Sequence, residues 1–324
     1  MCTAISFSSG DHYFGRNLDL EYSLNESVVV TPRRFPLSFR RMPPLKRHLA
    51  MIGTAAIEEG YPLYYDATNE AGLSIAALNF PGHAHYAPPD HAQRSIAPFE
   101  LIPWLLAQAA SVSQARAMLG GISLAAIPFS DVLPLSPLHF LISDRQESIV
   151  LEPMRSGLRI HDNPCGVLTN NPPFEAQMDH LSLYLGLDSR EPQNTLDPAL
   201  HLRPSSRGSG AIGLPGDLSS PSRFVRAVFV KAHSLCGGTP EESVTQFFHI
   251  LANVAHVRGS VLVQGKPEIT VYSSCCDTIR GIYHYTTYEN SQITAVNMRK
   301  ENLDGSQLSS YPLIRRQAIH HQNG

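Results

Sequence analysis

Met1-Cys2-Thr3-Ala4-Ile5-Ser6-Phe7, a turn at Ser8-Ser9-Gly10-Asp11, and then His12-Tyr13-Phe14-Gly15-Arg16-Asn17-Leu18-Asp19 form the stretch that decides the fold. Apolar residues alternate along each arm around a Gly-containing turn, the pattern of a β-hairpin. Cys2 directly follows the initiator methionine, and its small side chain makes Met1 a candidate for removal by methionine aminopeptidase. Removal leaves a thiol and a free α-amine on one residue. An α-amine titrates at about 7.7–8.0, so a useful fraction is neutral near pH 7. Such an amine accepts the proton of its own residue's nucleophile. The hairpin returns Arg16 and Asp19 to the neighbourhood of Cys2, and a nearby cation lowers a thiol pKa. The plainer alternative is that Cys2 is an ordinary second residue on a frayed terminus. The hairpin alone leaves both readings open.

Bulk properties narrow the class. A chain of 324 residues with 43% hydrophobic content can bury a substantial core. A formal charge of −3 gives no argument for nucleic acid or for an anionic membrane surface. No apolar run approaches a membrane span. The N-terminus has neither the basic region nor the long apolar region of a signal peptide, and a lipidated Cys would need such a leader. A cytoplasmic location is expected. The five cysteines, Cys2, Cys165, Cys236, Cys275 and Cys276, are an odd number and read as reduced thiols. His83-Ala84-His85 and His320-His321 are the closest histidine clusters and lack zinc spacing. There is no P-loop and no Gly-rich dinucleotide fingerprint. Neither metal nor cofactor is expected.

After the hairpin, residues 28–31, 50–55, 61–65 and 73–80 read as strands joined by short turns, hence mostly antiparallel sheet. A polar loop covers 81–95. Helices follow over 99–109, with Trp104 in its core face, and from a Ser111/Gln114 capping box to Gly120-Gly121. Strands return at 138–143, 148–152, 158–161 and 167–169, then a helix over 174–185. Residues 190–216, rich in Pro, Ser and Gly, read as a long loop of the kind that is often functional. Ser220-Pro221 starts a helix, and Thr239-Pro240-Glu241-Glu242 starts another with a full capping box. Strands at 269–275, 281–288 and 292–298 close the chain. With neither repeat nor linker, this order fits one α+β domain of layered sheets spanning 1–324.

Asparagines recur at strand ends: Asn17, Asn79 and Asn170-Asn171. An amide N–H can serve an oxyanion hole, although asparagine also simply suits turns. Cys275 and Cys276 would face opposite sides of a strand and make no CxxC pair. Cys165 has no motif around it.

Several segments together resemble the choloylglycine hydrolase family, which comprises bile salt hydrolases and penicillin V acylases. They are Met-Cys-Thr-Ala-Ile at 1–5, His-Tyr-Phe-Gly-Arg-Asn-Leu-Asp at 12–19, and Gly-Leu at 72–73 with Leu-Asn-Phe at 78–80. Further along come Gly-Val-Leu-Thr-Asn-Asn-Pro at 166–172 and Gly-Leu-Pro-Gly-Asp-Leu-Ser-Ser-Pro-Ser-Arg-Phe at 213–224. Tyr-Ser-Ser-Cys-Cys at 272–276 and Lys-Glu-Asn-Leu-Asp-Gly at 300–305 extend the match nearly to the end.

The resemblance implies a four-layer αββα sandwich of the N-terminal-nucleophile hydrolase type. It implies Cys2 as nucleophile and amine base, Arg16 as the cation near its thiol, and Asp19 as the holder of its α-amino group. Asn170 through its side chain, and Asn79 together with backbone N–H, are implied to stabilise the oxyanion, and Arg223 matches a second active-site arginine. Asparagine at position 79 favours the bile salt branch over the penicillin V branch, which often carries tyrosine there. The implied substrate is a glycine- or taurine-conjugated bile acid, and the implied assembly is a homotetramer. Penicillin V, acyl-homoserine lactones, or bile acid binding without catalysis are the alternatives. Leu18, Tyr22, Ile57, Tyr61, Ile127 and Leu133 are candidates to line a sterol pocket. Arg207, in Ser206-Arg207-Gly208, is a candidate partner for the planar carboxylate of a glycine conjugate.

Overall fold

The protein is described by a computed structural model that covers residues 1–89 and 94–323. Residues 90–93 of the expected 81–95 loop lie outside it. In chain order the first strands are β1 (Cys2–Ser9), β2 (Asp11–Leu20), β3 (Ser27–Thr31), β4 (Met51–Glu58), β5 (Tyr61–Asn69) and β6 (Ser74–Asn79). After β7 (Ser95–Ile96) come α1 (Leu101–Leu106), α2 (Val112–Leu119) and β8 (Ser123–Leu124). Then follow β9 (Leu138–Ser143), β10 (Ser148–Met154), β11 (Gly157–Asp162), β12 (Val167–Leu168) and α3 (Phe174–Leu181). The last third holds α4 (Ser220–Ala232), α5 (Pro240–Ala252), β13 (Leu262–Val263), β14 (Lys266–Pro267), β15 (Ile269–Asp277), β16 (Ile282–Thr287), β17 (Asn290–Asn297) and β18 (Ser309–Pro312).

The expected hairpin is present, with Cys2 opposite Leu18 and Ala4 opposite Arg16. Gly10 turns it with a φ of 67°, a left-handed conformation that glycine takes without a Cβ penalty. The other edge of β2 pairs with β15, and Gly15 is required there. A Cβ at that position would lie 1.9 Å from the Ser274 carbonyl oxygen.

Two antiparallel sheets stack on each other. One runs β12-β1-β2-β15-β16-β17, the other β11-β10-β9-β6-β5-β4-β3-β18. The period of two along a strand sends alternate residues into different cores. Val28 and Val30 of β3 join the core between the sheets, whereas Val29 joins the core under the helices. Leu141 of β9 likewise points inward while Phe140 and Ile142 point out. Leu101, Trp104 and Leu105 of α1, with Val112 and Ala115 of α2, cover that outer face. Phe224 of α4 and Phe247, Ile250 and Leu251 of α5 cover the six-stranded sheet. The layers are therefore helix, sheet, sheet, helix, as expected, and each large side chain buried this way contributes about 1.5–3 kcal/mol.

Some elements differ from expectation. The helix expected over 99–109 opens as a tight turn at Pro98–Glu100 and is α-helical only over Leu101–Leu106. The one expected over 174–185 tightens at Ser182–Tyr184. β18, which pairs with β3 at the edge of the large sheet, was not expected, since Ser-Ser-Tyr-Pro carries no alternating apolar pattern. Thr239 and Glu242 form the full capping box that was expected for α5. In α4 the cap is Ser219, and Ser220 is the first helical residue, which frees its hydroxyl for the site below. Among the described residues no helix is long and apolar enough to cross a membrane, and all five cysteines are free thiols.

Candidate active site

Cys2 lies at the open end of the hairpin and is buried. Its backbone N–H donates to Asn170 Oδ1 at 2.7 Å. Arg223, in the first turn of α4, grips the same residue from the other side. Its Nη1 donates to the Cys2 carbonyl and to Thr3 Oγ1, both at 2.6 Å, and its Nη2 donates to Asn170 Oδ1 at 2.8 Å. Ser220 Oγ accepts the Asn170 backbone N–H at 2.8 Å, and Gln177 Nε2 donates to the Asn170 carbonyl at 2.6 Å. Two donors converging on one atom fix the orientation of the Asn170 amide, because only its oxygen can accept both. Nδ2 then donates to the Asn79 carbonyl at 2.7 Å.

These bonds use most of the hydrogen-bonding capacity of the Asn170 side chain. Its oxygen is committed to Cys2 and Arg223 and one amide proton to Asn79, so a single N–H remains for an oxyanion. The side chain thus ties Cys2, Arg223 and the Asn79 strand end together.

Arg16 is fully buried. Its Nη1 donates to the Tyr65 carbonyl at 3.0 Å and to the Ala77 carbonyl, while Nη2 has no hydrogen-bond partner among the described residues. Burial alone would lower the pKa of this guanidinium, but the fields of Cys2, Tyr272, Asp66 and Asp19 outweigh it and leave the pKa raised. A fixed cation therefore stands beside the thiol. Asp66 is held by Tyr272 Oη at 2.5 Å and Tyr283 Oη at 2.6 Å. Burial pushes its pKa up, opposed by Arg16 and these hydroxyls.

Asp19 is also fully buried. Its Oδ1 accepts from Thr270 Oγ1 at 2.6 Å. Its Oδ2 has no hydrogen bond among the described residues and lies 4.0 Å from both Arg223 Nη1 and His256 Nε2. Burial lowers the pKa of Arg223, with Asp19 and Cys2 opposing. His256 Nδ1 stands 2.8 Å from Glu268 Oε1. With Met1 in place, its ammonium donates to the Asp19 carbonyl at 2.7 Å and to Glu268 Oε2 at 2.6 Å. Cys2 N is then a peptide nitrogen whose lone pair is delocalised, and it cannot act as a base.

The remaining cysteines are poorer nucleophiles where burial acts on them. It pushes the Cys165 thiol up, Cys275 well up, and Cys276 up to about 12.

Cys2, Arg16 and Asn79 open onto a cleft of about 460 Å³. Leu18, Tyr22, Ile127 and Leu133 line it, as expected of sterol contacts, together with Leu20 and Phe129. Three expected contacts do not. Ile57 sits opposite Pro62 near the solvent end of the β4–β5 hairpin and is exposed. Tyr61 packs behind the wall, its ring 6.0 Å from Phe99 and 6.3 Å from Phe129. Arg207 is exposed in the long segment before Gly213 and is absent from the cleft lining. His256, Glu268, Thr270, Gln177 and Ser220 were not foreseen as site residues, because each reaches the site through long-range packing of helices, strands and loops that leaves no local signature.

Comparison with known proteins places this geometry. Residues 2–311 match the family model of the linear amide C–N hydrolases, choloylglycine hydrolase family. The chain is 53% identical, over 97% of both chains, to a bile salt hydrolase/transferase of Lactiplantibacillus plantarum. It is 37% identical, over 100% of both, to a bile salt hydrolase/transferase of Clostridium perfringens. The fold superposes on a mutant of the conjugated bile acid hydrolase of Clostridium perfringens with a TM-score of 0.91 at 36% identity, covering 100% of both chains. Penicillin V acylase of Agrobacterium tumefaciens shares the fold at a TM-score of 0.73 and 18% identity, over 96% of this chain and 90% of its own.

Proposed function

Because the chain belongs to the choloylglycine hydrolase family of linear amide C–N hydrolases, we propose that it hydrolyses the amide bond of glycine- or taurine-conjugated bile acids with Cys2 as the nucleophile. The observation that carries this reading is a buried Cys2, held by Asn170 and Arg223 beside the fixed Arg16 cation, at an apolar cleft of about 460 Å³. A cleft of that size and lining suits a steroid nucleus.

The chemistry follows from the geometry once Met1 is gone. The thiol gives its proton to the α-amine of Cys2, and sulfur attacks the amide carbon as the carbonyl pair moves to oxygen. The Asn79 amide and the remaining N–H of Asn170 hold that oxyanion; removing one such donor elsewhere costs about 10²–10³-fold in kcat. Collapse breaks the C–N bond, the α-ammonium protonates the leaving amine, and glycine or taurine departs. Water, deprotonated by the same amine, then cleaves the thioester to the free bile acid and restores the thiol. Asp19 Oδ2, which has no other hydrogen bond among the described residues, is the acceptor for the ammonium between these steps.

The test is amine release from glycocholate and taurocholate beside penicillin V and an acyl-homoserine lactone. Release from the bile conjugates with little from the others is expected. Turnover confined to penicillin V or the lactone, or bile acid binding without release, would reject the reading. A second activity is favoured by the names of the relatives, which couple hydrolase with transferase. An amine that reaches the thioester before water would leave conjugated to the bile acid, and mass spectrometry of cholate products with excess free amino acid reads this directly.

The chain acts as a single catalytic domain in a homotetramer in the cytoplasm. Support for assembly comes from Leu183, Leu185, Leu196 and Ile212, which are more than three-quarters exposed along one segment, with 76%, 87%, 81% and 79% of their surface accessible. Support for the location comes from the five free thiols. No cofactor, nucleic acid or membrane partner enters this reading.

A further inference from the structure

We propose that His139, paired with Glu152, is a positioning residue that locks together the two strand ends carrying Asn79 and Asn170. The inference rests on the hydrolytic reading above for its kinetic consequence, and on geometry alone for its structural one.

His139 is fully buried in β9, next to Leu138, which pairs with Asn79. One face of its imidazole stacks on Phe80, the residue after Asn79, with centroids 4.2 Å apart and planes 5° from parallel. Its Nε2 donates to the carbonyl of Thr169, the residue before Asn170, at 2.8 Å. One ring therefore touches both neighbours of the asparagine pair, whose own link is a single hydrogen bond of 2.7 Å from Asn170 Nδ2 to the Asn79 carbonyl. A second link, from Asn171 Nδ2 to the Pro81 carbonyl at 2.5 Å, joins the same two segments one residue further out, and His139 itself does not line the cleft.

Hydrogen-bond polarity assigns the partner. Thr169 O only accepts, so Nε2 must be the donor. A neutral ring would then present Nδ1 as an acceptor toward Glu152 Oε1 at 3.3 Å, and an ionised carboxylate accepts as well. The contact is a hydrogen bond only when a proton lies between them, as in an imidazolium–carboxylate pair. Glu152, itself buried, also accepts the backbone N–H of Phe174 at 2.9 Å, which pins the start of α3 just beyond Asn170-Asn171-Pro172-Pro173. His161 Nε2 faces its other oxygen at 3.5 Å, with Glu175 and Arg159 beyond. The loop carrying Asn170 is thus fastened before it by His139 and after it by Glu152.

The consequence is a loss of geometry at the reacting atoms without loss of substrate contacts. A misplacement of about 1 Å from a remote substitution can cost roughly 10²-fold in rate. Three variants test it: His139→Leu, which keeps an apolar body; His139→Gln, which keeps an N–H at the position of Nε2; and Glu152→Gln. On glycocholate, His139→Leu should lower kcat by about ten- to a hundredfold with KM within about twofold, and His139→Gln should recover most of the loss. Glu152→Gln should fall between them. Hydrogen–deuterium exchange gives a readout that needs no activity. In His139→Leu, peptides spanning 78–80 and 166–171 should both exchange faster, although they are far apart in sequence, while β15 stays protected.

An unchanged kcat, a fall in kcat that disappears once rates are normalised to the folded fraction, or faster exchange in only one of the two segments would overturn the proposal. Failure of His139→Gln to rescue would do so as well. An inactive wild type with paired exchange changes would reject the hydrolytic reading and leave the bridge standing.

Discussion

Asn170 and Cys2 stand 168 positions apart in the chain and meet through one 2.7 Å hydrogen bond, from the Cys2 backbone N–H to the Asn170 side-chain oxygen. The same oxygen takes a second bond from Arg223 at 2.8 Å. The nitrogen proposed as the base is thereby held by a group that only accepts. In the proposed mechanism its lone pair, once the nitrogen is an amine, takes the proton of the thiol.

Processing is the first requirement. Intact mass of the active protein should lack Met1, because the peptide nitrogen present while Met1 is attached has no basic lone pair. An enzyme of full activity that retains Met1 would sink the mechanism. Retained Met1 should instead give a folded and inactive protein, its ammonium held by Glu268 at 2.6 Å.

Cys2→Ser should fold normally and lose most activity, since a hydroxyl is a poorer nucleophile than a thiol near neutral pH. Mild peroxide should inactivate the wild type reversibly through a sulfenic acid on Cys2, recoverable with thiol. If Cys165→Ser or Cys236→Ser abolished turnover and Cys2→Ser did not, the nucleophile would be elsewhere.

Arg223→Ala removes four hydrogen bonds, to Leu218 O, Cys2 O, Thr3 Oγ1 and Asn170 Oδ1, and takes away a buried cation near Asp19. Breaking a buried charge pair costs about 3–5 kcal/mol, so urea unfolding should shift by that order and kcat should fall steeply. Arg223→Lys should restore part of the stability and little of the activity, because an ammonium cannot reproduce the fork across four acceptors. Full activity in the lysine variant would contradict the positioning role.

His12, buried among Ser6, Ser143 and Thr278, has its pKa lowered from 6.5 to about 4, first by burial and then by Lys231 and Arg145, with Asp144 opposing. The neutral ring is the one that fits the fold. Its stabilisation is complete above the unfolded value of about 6.5 and is lost as pH falls from there toward 4, on the order of 3 kcal/mol in all. Melting curves between pH 7 and 4.5 should fall more steeply for the wild type than for His12→Asn. Equal slopes would remove His12 from the acid response.

Arg207 was a candidate for reading the carboxylate of glycine conjugates, but it lies exposed and outside the cleft of its own chain. Arg207→Ala should therefore leave the ratio of kcat/KM for glycocholate over taurocholate unchanged. A fall in that ratio would mean that Arg207 reaches substrate from a second copy in the assembly.

The sequence by itself determined the hairpin, the α5 capping box, most strands and the layered α+β class. These depend on residues within a turn or a strand's length of each other, where alternation, glycine and capping chemistry act directly. The closeness of Arg16 and Asp19 to Cys2 was legible for the same reason, since one hairpin turn sets the register that returns them to it. Asn79, Asn170 and Arg223 carried no local signal beyond a strand end or a helix start, and only the family resemblance singled them out. The tertiary structure decided the rest: which atom of the Asn170 amide faces Cys2, that Tyr61 backs the cleft wall instead of lining it, and that Arg207 stands away. It also brought His139, Glu152, His256 and Glu268 to the site from separate strands and loops. Sheet stacking fixes those contacts, and stacking depends on the summed packing of two cores, so no short window of sequence contains it.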